Sequence, residues 1–191
     1  MGEENYRSLK ISYIVFTAIA ALGAAFGALY FVNIYSGSGE IKSYLDQFTA
    51  ALSGASRTGI MLRQIKLSAV FTAICVICSF GKIGVIPIAA ITARRGFIYG
   101  FSDAALIAAY GRTGVLLVLS RLPEFVFILA AVTVCSSVCG AVATGRIERN
   151  KKFIICYLLF IAIIYAIFCI GAVCEGFIST TFMKLLASRA A

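Results

Sequence analysis

The chain has 191 residues, of which 61% are hydrophobic and only two are proline, and its mean hydropathy is +0.99. It contains no histidine, and its 17 Lys and Arg outweigh 8 carboxylates to a net charge of +9. So apolar a chain leaves no room for a sizeable soluble domain, and the missing histidines exclude His-based acid–base work, His metal sites and the histidine-dependent triads.

In a soluble protein the positive charge would point to nucleic acid. Here Lys and Arg gather in joints between apolar runs, where they set membrane orientation, so no nucleic-acid partner is expected. The first run, Ile11 to Val32, and the last, Phe153 to Cys174, carry no charge. Roughly 20 apolar residues in a helix match the ~30 Å hydrocarbon core. Lipid offers no hydrogen bonds, so the spans must be helices. The expected fold is an all-α integral membrane bundle in a single domain, 1–191, with about five transmembrane helices and one short external amphipathic helix.

Arg7 and Lys10 precede the first run as they would in a signal peptide. The run is too long for a signal core of roughly 7–15 residues, so it reads as an uncleaved anchor. Within it, Gly23 and Gly27 form a GxxxG pair that lets another helix approach closely, either from this chain or from a partner. After the turn Ser36-Gly37-Ser38-Gly39, the residues Ile41, Tyr44, Leu45, Phe48 and Leu52 recur at helical spacing, with Lys42, Ser43, Asp46 and Gln47 elsewhere. That pattern predicts an amphipathic helix lying on the membrane or docked on a partner, within a polar loop from Ile34 to Lys66. Ser53 to Thr58 reads as a small-polar loop, and Ile60 to Lys66 leads into the second hydrophobic region.

Leu67 to Tyr110 allows two readings. A turn at Gly81-Lys82 gives a short span and then a long one with Arg94 and Arg95 in its middle. A turn at Arg94-Arg95 gives a long kinked span and then a short one containing Asp103. Both count two crossings. Val115 to Ser120 is too short to cross, so the next span is Pro123 to Val142, with Pro123 suited to a first helical turn and Glu124 complementing the helix dipole. The joint Thr144 to Lys152 holds Arg146, Arg149, Lys151 and Lys152 against Glu148 alone, which places it in the cytoplasm. Counting crossings puts the N-terminus inside and the tail 175–191 outside, where its apolar side makes it interfacial.

Two groups of residues invite chemistry. Cys75-Val-Ile-Cys78 is a CxxC, with Cys135 and Cys139 on another span, but a working thiol pair needs a thiolate, and all seven cysteines fall in apolar runs. Intramembrane charge is the stronger signal: Arg94, Arg95, Asp103, Arg121 and Glu124 lie in or beside hydrophobic segments, where charges must pair or reach water. Arg95 and Asp103 share a helix face without contact, so pairing of Arg94 or Arg95 with Glu124 across helices is the easier geometry.

An ordered set of short pieces resembles the membrane family named after stage II sporulation protein M of endospore-forming bacteria. The pieces are Tyr30-Phe31-Val32-Asn33, Tyr44-Leu45-Asp46-Gln47-Phe48, Leu62-Arg63-Gln64-Ile65-Lys66 and Gly84-Val85-Ile86-Pro87. They continue with a basic residue before Gly96 and with Gly100, then Leu122-Pro123-Glu124, Glu175-Gly176-Phe177 and Met183-Lys184. Many family members carry histidine after the proline matched by Pro123, where this chain has Glu124. The resemblance implies a non-catalytic scaffold in the cell membrane, acting with stage II sporulation proteins D and P during septal peptidoglycan degradation and engulfment. It also favours the turn at Gly81-Lys82. No enzyme activity and no cofactor are expected; homo-oligomerisation stays open. The competing readings are a small transporter or channel subunit built on the intramembrane charges, and a membrane thiol oxidoreductase using Cys75 and Cys78.

Overall fold

The structure, a computed structural model, describes residues 3–35, 43, 56–145, 151–179 and 181. These residues form helices and no strand: α1 (Glu3–Tyr35), α2 (Arg57–Ser79), a 3-10 turn (Lys82–Gly84), α3 (Val85–Tyr110), α4 (Arg112–Ser120), α5 (Leu122–Ala143) and α6 (Lys151–Cys174). A π-helical turn, Glu175–Ser179, follows α6. The predicted amphipathic face of Ile41, Tyr44, Leu45, Phe48 and Leu52 lies outside the described residues.

Four helices, α1, α2, α5 and α6, are long and apolar enough to cross a membrane. Their outward faces carry Ile14, Leu22, Phe26, Ile77, Ile155 and Leu159, all exposed, as side chains bathed in lipid should be. At 26 residues, or ~39 Å, α3 is also long enough. Its two arginines lower its hydropathy, but it lies alongside α1 over much of its length.

The α1–α3 contact is glycine against backbone on both sides. A Cβ at Gly23 would overlap the Ala93 carbonyl, and one at Gly27 the Phe97 carbonyl. Reciprocally, a Cβ at Gly96 would strike Ala20, and one at Gly100 would strike Ala24. The Gly23/Gly27 pair is therefore spent inside this chain, against a second small pair, Gly96 and Gly100. Farther along, Phe31 packs edge-on to Phe101 at 5.4 Å. Contacts thus advance together along both helices, from Gly23 on Ala93 to Phe31 on Phe101, so α1 and α3 run parallel.

The contacts of α2 with α6 and of α3 with α5 are antiparallel. On α2 and α6, Ser79 meets Tyr157 while Phe71 packs on Phe168 at 5.9 Å. On α3 and α5, Thr92 bonds Ser136 while Tyr99 packs on Phe125 at 5.4 Å. One end of the bundle therefore gathers the starts of α1, α3 and α6, and the other gathers Tyr35, Arg57, α4 and the turn after α6. Buried along most of its length, α5 forms the centre.

Local chemistry explains the boundaries. The Ser56 Oγ accepts a hydrogen bond from the Gly59 amide at 3.1 Å, so α2 starts at Arg57, inside the stretch expected to be loop. The chain turns at Phe80–Gly84, leaving Arg94 and Arg95 inside α3. At Gly111 φ is +54°, a conformation that glycine adopts without strain, and the chain reverses there into α4. Nine residues long, α4 is too short to cross. Replacing Gly96 or Gly100 with leucine should force α1 and α3 apart at a cost of about 1–3 kcal/mol. Denaturant titration in mild detergent should show this loss, while leucine at the open position Gly81 should leave stability unchanged.

Candidate functional site: a charged cluster in the bundle

Arg121 occupies the single-residue joint between α4 and α5 and is the centre of the charged group. Its guanidinium lies 3.4 Å from Asp103 Oδ1 on α3 and 3.6 Å from Glu124 Oε2 one turn on. It also donates to Ser102 Oγ at 3.4 Å and sits 5.9 Å from the centre of the Tyr99 ring. Proline in the first turn of α5 fixes the start of that helix, and this sets Glu124 back under Arg121. Only 2% of the Glu124 side chain is exposed, which makes its charge the most deeply enclosed in the cluster.

Glu175 adds a third carboxylate from the turn after α6. Arg63, Arg95 and Arg121 lie within its electrostatic reach. Glu124 Oε2 and Glu175 Oε2 are buried and accept no hydrogen bond. Arg121 thus bridges Asp103 and Glu124, with Glu175 nearby on the turn after α6. Such a charged network joins helix ends, and removal of one member would strand its partners. A cavity of about 90 Å³ opens beside it, lined by Tyr99, Asp103, Arg121 and Glu124 with Val118, Leu122 and Phe125. It has room for several waters.

The arginine pair expected to reach Glu124 behaves differently. Arg95 turns into the bundle and stacks over the Phe71 ring at 5.6 Å, where cation–π attraction replaces an ion pair. Arg94, its neighbour, is exposed and has no hydrogen bond, ion pair or ring contact among the described residues. Glu124 pairs instead with Arg121, three residues before it in the chain. Asp103 does join the cluster. Glu175 and Tyr99 were not singled out as members, and the available signal was a carboxylate placed directly after the uncharged run Phe153 to Cys174.

The cysteines sort by helix face. Cys75 meets Cys135 and Cys139 of α5 within hydrogen-bonding reach, while half-buried Cys78 is not among its partners. Cys139 Sγ lies 3.2 Å from Tyr157 Oη, and that hydroxyl donates to Ser79 Oγ at 2.9 Å. The three thiols form no metal-ligand set. Together with the 2.7 Å Thr92–Ser136 bond, they make a small polar layer tying α2, α3, α5 and α6. Such interhelical bonds contribute about 0.6 kcal/mol each.

Comparison with family models, curated proteins and solved structures returns no match.

Removing Arg121 leaves Asp103 and Glu124 facing each other across α3 and α5. Arg121→Ala should cost about 3–5 kcal/mol in detergent unfolding. Adding Glu124→Gln to that variant should recover part of the loss, because one stranded charge is gone.

Proposed function

We propose that this chain is a non-catalytic membrane scaffold that assembles a septal peptidoglycan-degrading complex during endospore engulfment, with stage II sporulation proteins D and P as partners. The observation that carries this reading is the filled interior. Ile88, Ile128, Val132, Cys135 and Phe168 are fully enclosed, so the middle of the bundle is packed side chain, which suits a protein that holds others in place. The ordered pieces of sequence resemblance supply the process and the partners.

The orientation follows from charge. Arg7, Lys10, Lys82, the end of α5 and the start of α6 fall at one end of the bundle, and with the basic stretch Thr144 to Lys152 of the sequence we assign that end to the cytoplasm by the positive-inside rule. The interval between α1 and α2 and the C-terminal tail then face outward, where wall-degrading enzymes work. Their apolar face of Ile41, Tyr44, Leu45, Phe48 and Leu52 is the candidate docking surface. In sporulating cells, Tyr44→Ala with Phe48→Ala should leave insertion and abundance normal and reduce septal recruitment of the hydrolase several-fold. Normal recruitment by the stable double variant would move the contact to the membrane-embedded faces.

One observation favours a second reading, a small transporter or channel subunit: the cavity beside Arg121, Asp103 and Glu124 places charge where an ion could lodge. Purified protein in liposomes should show no ion flux if the scaffold reading holds. Flux that Glu124→Gln abolishes would transfer the assignment to transport.

A further inference from the structure

Arg94 is an intramembrane charge that is exposed and has no hydrogen bond, ion pair or ring contact among the described residues. Along α3, Ile86, Ala90, Arg94 and Ile98 recur every fourth residue and share one outward face, with Ile86 70% and Ile98 47% exposed. The face is apolar except for the arginine. Neighbouring Arg95 points inward to Phe71, so the two adjacent cations serve opposite sides of the helix.

Two independent markers put Arg94 near the middle of the bilayer. Ala93 packs on Gly23, which lies midway along the uncharged run Ile11 to Val32 of α1. Lys82 in the turn before α3 and Asp103 on α3 bracket a stretch of twenty residues, the length of one crossing, and Arg94 is well inside it. It stands ~18 Å along the helix from Lys82 and ~14 Å from Asp103. An extended arginine side chain reaches on the order of 7 Å. Snorkelling to either phosphate layer therefore falls short.

The described residues supply no counter-charge there. Asp103 and Glu124 are taken by Arg121, and Glu175 lies within the interior cluster. The other five carboxylates, Glu3, Glu4, Glu40, Asp46 and Glu148, fall outside the apolar runs. A second copy docked symmetrically on this face would bring one Arg94 toward the other, which like charge opposes.

We infer that the Ile86–Ala90–Arg94–Ile98 face of α3 is a docking surface for the transmembrane helix of another protein carrying an aspartate or glutamate near its middle. Ala90, one turn from Arg94, lets that helix come close, and the two isoleucines pack against its apolar side chains. This deepens the scaffold reading by giving the chemistry of a partner's anchor, and it holds for any partner so equipped.

The test uses the purified protein and a synthetic transmembrane leucine helix with one central aspartate, both fluorescently labelled, in phosphatidylcholine vesicles. Energy transfer should report association about 3- to 15-fold stronger than with the all-leucine helix. Arg94→Leu removes a charge from lipid without disturbing the seam, and should erase the difference; Arg94→Lys should keep most of it. No preference for the aspartate helix, or one that survives Arg94→Leu, overturns the inference. So does a preference abolished by phosphatidylglycerol, since that gives Arg94 to lipid phosphate. In native membranes, a benzophenone side chain at Ala90 or Ile98 should cross-link to a foreign helix bearing a membrane-depth carboxylate. Adducts confined to lipid or to a second copy overturn it. Hydrolase recruitment enters none of these readouts, so failure here and failure of the scaffold reading are separable.

Discussion

The bundle depends on how closely α1 and α3 approach. Gly23 and Gly27 on one helix and Gly96 and Gly100 on the other leave backbone touching backbone, with no side chain between them. In lipid there is no hydrophobic force to drive helices together, so close packing of this kind supplies the attraction. Because the contact is parallel, the helix between the two must return across the membrane. The turn at Phe80–Gly84 and the long Arg94-containing α3 follow from that return. The antiparallel placement of α5 and α6 completes the set, with α5 in the middle and its hydroxyls and thiols bonded to three neighbours.

Charge is then sorted by what each helix face meets. Arg121 sits at a helix joint near one end, where two carboxylates and a serine converge and waters have room. Arg95 is deeper and trades an ion pair for an aromatic ring. Arg94 is equally deep but faces away from the bundle. One energetic rule covers all three: a charge in a low-dielectric setting must be matched by something close. The first two are matched within the chain, while the third lacks a match among the described residues. For this reason the outward face of α3 differs in kind from the outer faces of α1 and α6 within their uncharged runs, for which lipid is a sufficient neighbour.

The thiols show how a motif can mislead. Cys75 and Cys78 have the spacing of a redox pair, yet a helix turns by about 100° per residue, and three residues do not bring two side chains to one point. Packing aims Cys75 at α5, where Cys135 and Cys139 lie one turn apart. Tyr157 of α6 carries the contact from Cys139 back to Ser79 of α2. The arrangement is a buried polar layer that crosses between helices, and no local pattern in the chain contains it.

The all-α membrane fold was legible in composition alone, because ~30 Å of hydrocarbon admits only long apolar helices or closed barrels, and the uncharged runs have helical length. The span limits near Pro123 and Gly111 and the role of Gly23 and Gly27 as a close-packing pair were also readable, since proline, glycine and small-residue spacing act locally. Three things were not. The start of α2 at Arg57 turns on one serine cap, a bond weaker than the polar character of the segment it opens. The partner of Gly23 and Gly27 lies some seventy residues away, and spacing within one helix says nothing of which other helix it meets. The pairing of charges was misjudged for the same reason: Arg94 and Arg95 are adjacent in sequence, but successive residues on a helix point about 100° apart, so only the packing of α2 against α3 decides which one is enclosed. Sequence determined that these charges would be costly; the tertiary structure alone decided which were compensated, because compensation requires two distant segments to occupy the same few ångströms.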